Sequence, residues 1–250
     1  MSVFNEYARY YDLFYRDKDY YGEAEYVHGL IQSHAPAARS LLNLGCGSGA
    51  HDRFLVDLNY TVTGVDLSDT MLTIAQQRAA GNDVFDYHHG DIRSIRLNMS
   101  FDAVISLFHV MSYQVTNEDV ISSFTTARSH LNTGGLFIFD CWYGPAVLTD
   151  LPGMRLKEIE NEHFRVVRIA QPTMRPNDNL VEVEYRFFIQ ENMVSNHELR
   201  ERHVMRYFFP PELKLICHHT HFSLINSFGW LSGSKPDMST WYACFVCQAV

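Results

Sequence analysis

From residue 39 onward, short apolar runs alternate with amphipathic stretches. Residues 40–44, 61–65, 84–88, 101–107 and 136–141 read as strands, because brief apolar or β-branched runs bounded by turn residues fit strands covered on both faces. Residues 51–59, 69–80 and 117–131 carry apolar positions at helical spacing, with Asp69 and Asn117 placed to cap two helices and Gly81 and Gly134–Gly135 to stop them. Strand–helix alternation over such a length predicts the α/β class: a doubly wound, mostly parallel sheet with helices on both faces.

The flanks follow other rhythms. The first 38 residues read as helical and aromatic, with Tyr7, Tyr10, Tyr11, Phe14 and Tyr15 at spacings of three and four. Such a face either packs onto the domain or, since each buried hydroxyl needs a partner, walls a polar pocket. After Gly153 the period changes to two: Val181, Val183 and Tyr185 interleave with Glu182, Glu184 and Arg186. This predicts an antiparallel insertion over 154–209, placed before a last helix that Pro210–Pro211 opens and two closing strands. The chain thus divides into an aromatic cap (1–38), an α/β core (39–153), the insertion as acceptor wall or dimer interface (154–209), and a C-terminal part that completes the core (210–250).

Charge narrows the partners. Lys and Arg number 20 against 29 Asp and Glu, a net charge of −9, so nucleic acid and anionic membrane are not expected partners. Residues 155–206 hold nine basic and nine acidic side chains, a neutral face. No apolar run approaches the ~18 residues of a membrane span, and residues 1–7 show no secretory pattern. Five cysteines, an odd number, read as free thiols in a reducing cytoplasm. Cys244 and Cys247 form C-x-x-C within a strand-like run, where positions three apart face opposite ways. Metal is not expected: His197-Glu198-Leu199-Arg200-Glu201 lacks the second histidine of H-E-x-x-H, and His218 and His221 share a helix face without a carboxylate.

The chemistry concentrates at Leu44-Gly45-Cys46-Gly47-Ser48-Gly49-Ala50, an apolar strand running into a glycine-rich turn that opens a helix. Such a turn lets a ligand lie directly on the backbone. Asp66 closes the second strand, where a carboxylate suits a ribose diol. Together they describe an adenosine-ligand site at the carboxyl ends of the strands. Gly45, Gly47 and Ala50 also satisfy G-x-G-x-x-G/A, so a nicotinamide or flavin dinucleotide competes. The helical stretch before the first strand, the extra Gly49 and a second acidic site at Gly90-Asp91-Ile92 weigh against it.

With these motifs in register, the sequence resembles the class I S-adenosylmethionine (SAM)-dependent methyltransferases. Residues 41–49 and 62–66 look like their first two motifs, Gly90-Asp91-Ile92 like the adenine-contacting one, and 101–107 like the fourth. His130-Leu131-Asn132-Thr133-Gly134-Gly135 resembles H-L-x-P-G-G, with Thr133 where proline is commoner. The resemblance implies a Rossmann-like seven-stranded sheet, SAM as cofactor and S-adenosylhomocysteine (SAH) as product. It implies cofactor contacts from Tyr11, Tyr15, Gly45, Cys46, Gly47, Asp66, Leu67, Asp91, Ile92 and Leu107. Tyr10-Tyr11-Asp12-Leu13-Phe14-Tyr15, the insertion and Arg206-Tyr207-Phe208-Phe209-Pro210-Pro211-Glu212 look like a bacterial subgroup that includes N-methyltransferases of nucleotide-linked amino sugars.

Methyl transfer from a sulfonium is an in-line displacement in which the protein mainly aligns the acceptor. Tyr15 and His109, the latter just past the fourth strand, are the candidate catalytic residues, with His109 placed as base. Tyr113, Trp142, Tyr143 and Arg206 are candidates for the substrate side, Arg206 as a fork for a diphosphate or as an ordinary salt bridge. The expectation is a cytoplasmic methyltransferase acting on a small polar acceptor, foremost the amino group of a nucleotide-linked deoxyamino sugar, with a homodimer possible. O-methylation of a sugar or other metabolite, an NAD-dependent oxidoreductase and a non-catalytic SAM-binding protein stand as alternatives.

Overall fold

The computed structural model describes residues 14–82, 84–162, 164–191 and 195–250. The expectations for Tyr7, Tyr10 and Tyr11 lie outside them. Chain order is α1 (Tyr20–His34), β1 (Ser40–Leu44), α2 (Ala50–Asp57), β2 (Thr61–Asp66), α3 (Asp69–Ala79), β3 (Phe85–His89) and β4 (Phe101–Ser106), then a 3-10 turn (Val110–Tyr113). Next come α4 (Asn117–Ser129), β5 (Leu131–Tyr143), α5 (Gly144–Thr149), β6 (Arg155–Glu160), β7 (Phe164–Arg175), β8 (Leu180–Glu191) and β9 (Ser195–Phe208). α6 (Pro210–His219), β10 (Phe222–Gly229) and β11 (Tyr242–Ala249) close the chain.

The core sheet runs β3-β2-β1-β4-β5-β11-β10, the first five strands parallel and β11 antiparallel between β5 and β10. This is the seven-stranded α/β architecture that the strand–helix alternation and the resemblance predict. Period-two alternation sorts its apolar residues into two layers. Leu42, Leu44, Val104, Phe137, Phe139, Phe245 and Cys247 pack under α4 and α6. Leu41, Val62, Ile105, Ile138, Cys244 and Val246 pack under α1 and α2. Cys244 and Cys247 therefore do face opposite ways, and all five cysteines are free and buried. Among the described residues no helix is long and apolar enough to cross a membrane.

Two helix starts differ from expectation by one residue. Ser68, not Asp69, caps α3 by accepting from the Met71 amide. Thr116, not Asn117, caps α4 in a reciprocal pair with Asp119. In each case the hydroxyl one position earlier reaches the N3 amide, so the expected cap becomes the first helical residue. Gly134 stops no helix either: α4 ends at Ser129, and Gly134–Gly135 lie inside a β5 that starts at Leu131.

The insertion is an antiparallel β6-β7-β8-β9 ribbon whose last strand joins the core. Tyr207 and Phe208 of β9 pair in parallel with Trp142 and Tyr143 of β5. One face buries Val166, Phe187 and Ile189 against Phe14, and Val181, Val183 and Tyr207 against Val147. On the other face the balanced charges pair across strands, as in Glu182–Arg202 and Arg186–Glu198.

Candidate functional site

The carboxyl ends of β1, β2, β4 and β5 meet at one edge. Gly45, Gly47 and Gly49 all take positive φ, turning the chain sharply from β1 into α2. The loop is anchored from β2: the Gly45 and Cys46 amides donate to the Val65 carbonyl, and the Gly47 amide donates to Asp66 Oδ2 at 2.8 Å. Asp66 Oδ1 accepts from the Ser68 amide at 2.9 Å, so this carboxylate ties the loop to the start of α3. Burial pushes its pKa up, against the pull of those amides. Beneath the loop, Asp52 is fully buried and accepts from Asn43 Nδ2 at 2.6 Å and from the Tyr87 hydroxyl at 3.1 Å.

This frame fits an adenosine cofactor. A Cβ built on Gly47 would meet nothing within 4 Å, so the loop backbone is open to a ligand there. Asp66 keeps carboxylate lone pairs for ribose hydroxyls beyond its two amides. Leu67 beside it is half exposed, while Ile92 and Leu107 are buried. The Cys46 thiol is buried, which raises its pKa well above the ordinary value and makes it a packing group of the loop. Asp91 is tied to Arg93, whose guanidinium also reaches Asp119. The Arg93 hydrogen bonds hold the Asp91 pKa down, leaving a carboxylate that an adenine amino group would share.

Past β4 the backbone is strained: Phe108 and His109 both adopt left-handed φ, +61° and +64°, a conformation unfavourable for side chains with a Cβ and concentrated at functional sites. The turn aims the His109 amide at Asp140, 3.1 and 3.2 Å from its two oxygens. His109 Nδ1 lies 2.5 Å from Asp140 Oδ2, off the line of a hydrogen bond. Asp140 is fully buried. Tyr242, the first residue of β11, stacks on His109 with centroids 4.3 Å apart. Tyr15 meets Phe108 edge-on at 5.0 Å. The two candidate catalytic residues thus share one aromatic cluster at the mouth of β4 and β5.

Next to it, Lys18 lies over the rings of Tyr20 and Phe108 at 4.4 and 4.5 Å and pairs with Glu23. Glu23 also meets His51 Nε2 at 2.6 Å and accepts from the Trp230 indole at 3.2 Å. Burial alone would raise the Glu23 pKa, but His51 and Lys18 outweigh it and hold it at about 2. For Lys18 burial outweighs the carboxylate, and its pKa falls. The pair's net benefit is therefore smaller than the Glu23 displacement alone implies.

The substrate-side candidates separate. The Tyr113 hydroxyl is 2.8 Å from His203 Nδ1, and His203 Nε2 is 2.9 Å from Glu201 Oε2. Trp142 sits where β5 meets β9, its amide donating to Ser112 Oγ at 3.0 Å. Tyr143 is buried in the core. Arg206 is buried and donates through Nη2 to Asn117 Oδ1 at 2.8 Å and to Glu212, so a salt bridge already occupies part of its fork. Asp140, Tyr242, Asp52 and the Lys18–Glu23–His51 cluster escape the sequence reading. Asp140 alone leaves a signal there, a carboxylate closing the apolar run Phe137-Ile138-Phe139. Among the described residues no group of three or more His, Cys, Asp or Glu side chains is placed to hold a metal.

Residues 41–135 match the family model described as a methyltransferase domain. A dTDP-3-amino-3,4,6-trideoxy-alpha-D-glucopyranose N,N-dimethyltransferase from Streptomyces venezuelae is 32% identical over 183 residues, 72% of this chain and 75% of that protein. A dTDP-3-amino-3,6-dideoxy-alpha-D-glucopyranose N,N-dimethyltransferase from Streptomyces fradiae is 30% identical over 79% of this chain and 76% of that protein. Among solved structures, Streptomyces venezuelae DesVI superposes with a TM-score of 0.82 at 25% identity over the full length of both chains. A SAM-dependent methyltransferase from Clostridium acetobutylicum superposes with a TM-score of 0.83 at 20% identity over 99% of each.

Proposed function

This chain belongs to the SAM-dependent methyltransferases, and from that premise we propose that it N-methylates the amino group of a nucleotide-linked deoxyamino sugar. One observation carries the acceptor assignment. Similarity to the dTDP-amino-sugar dimethyltransferase of S. venezuelae spans 183 residues, well beyond the stretch 41–135 that the general methyltransferase domain matches. It therefore extends past the cofactor-binding half.

SAM supplies a methyl group made electrophilic by its sulfonium. The residues of this chain do the rest. The Gly45–Gly49 backbone and Asp66 take the methionine and ribose parts, with Leu67, Asp91, Ile92 and Leu107 around the adenine. Tyr15 and the strained Phe108–His109 turn border the line of attack. Holding the acceptor there contributes up to about 7–11 kcal/mol through effective molarity. An amine arrives mostly protonated, and His109, oriented over Asp140 and stacked under Tyr242, is the base nearest the transfer. The insertion's apolar face, with Tyr113 and Trp142 at its junction with the core, walls the acceptor. The reading places the protein in the cytoplasm, acting on a free small molecule rather than on nucleic acid or membrane.

The test is methyl transfer from labelled SAM, read by product mass, to a dTDP-amino sugar and to its hydroxyl counterpart. A gain of one or two methyls on the amine supports the proposal. No gain on the amine, in protein shown to bind SAM, sinks it.

A further inference from the structure

We infer that Arg93 is a positioning residue that makes the cofactor site selective for adenine. It clamps Asp91 so that the carboxylate accepts from the adenine amino group and cannot swing to the edge of a deaminated base. The inference rests on the reading that puts Asp91 at the adenine ring, and it is independent of the methyl acceptor.

The clamp is built on both carboxylate oxygens. Arg93 Nε lies 2.9 Å from Asp91 Oδ1 and 3.0 Å from Oδ2, and Nη2 lies 2.5 Å from Oδ2. The Arg93 amide also donates to Oδ1 at 2.9 Å. The guanidinium is fixed in turn, because its Nη1 donates to Asp119 Oδ1 at 2.7 Å. Asp119 is itself locked into the first turn of α4. Its Oδ2 accepts from the Thr116 amide at 3.3 Å, and its own amide donates to Thr116 Oγ1 at 3.0 Å. A planar fork bridging two carboxylates sets their rotation as well as their distance, which the point charge of an ammonium would not do.

Placement supports the same conclusion. The Gly90 amide donates to the Asp66 carbonyl at 2.9 Å, so the segment carrying Asp91 is bonded to the residue assigned to the ribose. Among the described residues Arg93 alone donates to the Asp91 side chain, through its amide, Nε and Nη2. A carboxylate offers about four acceptor positions, so room for a ligand donor remains. The Asp91 side chain keeps 27% exposure, and that open edge is where a base would meet it.

Adenine presents an amino donor at its 6 position. Hypoxanthine presents a carbonyl there and moves its donor to the neighbouring ring nitrogen. A carboxylate held still accepts from the first and repels the second. One free to turn reaches the displaced N–H and serves both. Selectivity thus comes from how rigidly Asp91 is held. An Arg–Asp pair with this much exposure adds little to stability, so the clamp is removable without unfolding the chain.

The experiment measures calorimetric Kd values for SAH and for its deaminated counterpart, S-inosylhomocysteine. Wild type, Arg93→Gln, Arg93→Lys and Asp91→Asn are compared, with melting temperature alongside. Wild type should prefer SAH by about tenfold or more, the lower end of what a hydrogen bond to a charged group provides. R93Q should lower that preference by about tenfold, with Tm within about 4 °C of wild type. R93K, which keeps the charge but not the fork, should lower it likewise. A merely structural role would weaken both ligands together and leave their ratio where it was. A ratio in R93Q within about threefold of wild type overturns the inference, as does a wild-type preference below about threefold. If R93Q does not fold, R93K decides. D91N separates the inference from the reading beneath it, because an amide both donates and accepts and so serves either base. An unchanged ratio in D91N overturns the placement of Asp91 at the adenine. A ratio that collapses in D91N and holds in R93Q overturns the clamp alone.

Discussion

Replacing Gly49 with alanine places two costs on the glycine loop at once. Gly49 has φ +68°, and a Cβ there would stand 2.5 Å from the Tyr87 hydroxyl and 3.2 Å from the Ala75 Cβ. The left-handed conformation costs an alanine about 1–2 kcal/mol. The hydroxyl cannot remain where it is, and its movement breaks the bond to Asp52, a fully buried carboxylate that also accepts from Asn43. Losing a charge-assisted hydrogen bond to a buried group costs about 1.5–3 kcal/mol. Gly49→Ala should therefore destabilise the protein by about 2.5–5 kcal/mol, lowering Tm by roughly 5–20 °C for a chain of this size. SAH affinity should fall with it. The assay is a double-mutant cycle by urea denaturation with Tyr87→Phe. Without the hydroxyl the new methyl group meets the ring carbon behind it and the Ala75 Cβ, both at 3.2 Å and both left in place by the double mutant, so in that background G49A should lose only the hydroxyl's share of its cost, a coupling of about 1.5–3 kcal/mol. A G49A protein melting within 2 °C of wild type (roughly 0.5–1 kcal/mol at this size), or costs that simply add in the double mutant, would refute the reasoning.

Two other perturbations test the neighbouring clusters. Glu23 has a folded pKa of about 2 against an ordinary 4.5. Its stabilising contribution is therefore present above about pH 4.5 and lost as pH falls toward about 2. Wild type should exceed Glu23→Gln by about 1–3 kcal/mol at neutral pH, with the gap closing across that window; a gap independent of pH between 5 and 2.5 would remove the charge argument. Asp140→Asn keeps an oxygen for the His109 amide but removes the charge, so kcat should fall about 10–100-fold with SAH affinity unchanged within about threefold; a variant that loses SAH binding and kcat in parallel would assign Asp140 to loop architecture alone.

What the sequence makes legible is what repeats locally. Strand–helix alternation and the glycine turn suffice for the core, and period two alone sends Cys244 and Cys247 into different layers. Caps shift by one because Ser68-Asp69 and Thr116-Asn117 each offer two adjacent cap-forming residues, and only the reach to the N3 amide chooses between them. The site is legible where it follows a motif, as at Gly47 and Asp66. It is not where it depends on chain crossings. Tyr242 reaches His109 from a strand 133 positions away only because β11 pairs with β5, setting Tyr242 opposite Trp142. His203 meets Tyr113 from a separation of 90 residues, a contact no local pattern announces.

The join between β5 and β9 also bears on how such a protein diversifies. The ribbon is bonded to the core sheet through Trp142–Tyr207 and Tyr143–Phe208, while its β8–β9 ladder runs out from Leu180–Arg206 to Glu191–Ser195. At the ordinary rise of a strand that is a cantilever of about 37 Å. Insertions or deletions at its far end leave every inner rung in place, so new surface contacts can be acquired there without touching the chemistry. A single-residue slip at the root is different: it would turn each side chain of β9 to the other face and carry His203 and Arg206 away together. Drift is thus cheap at the tip and forbidden at the root, and the same strand serves as a variable outer edge and a fixed inner gauge.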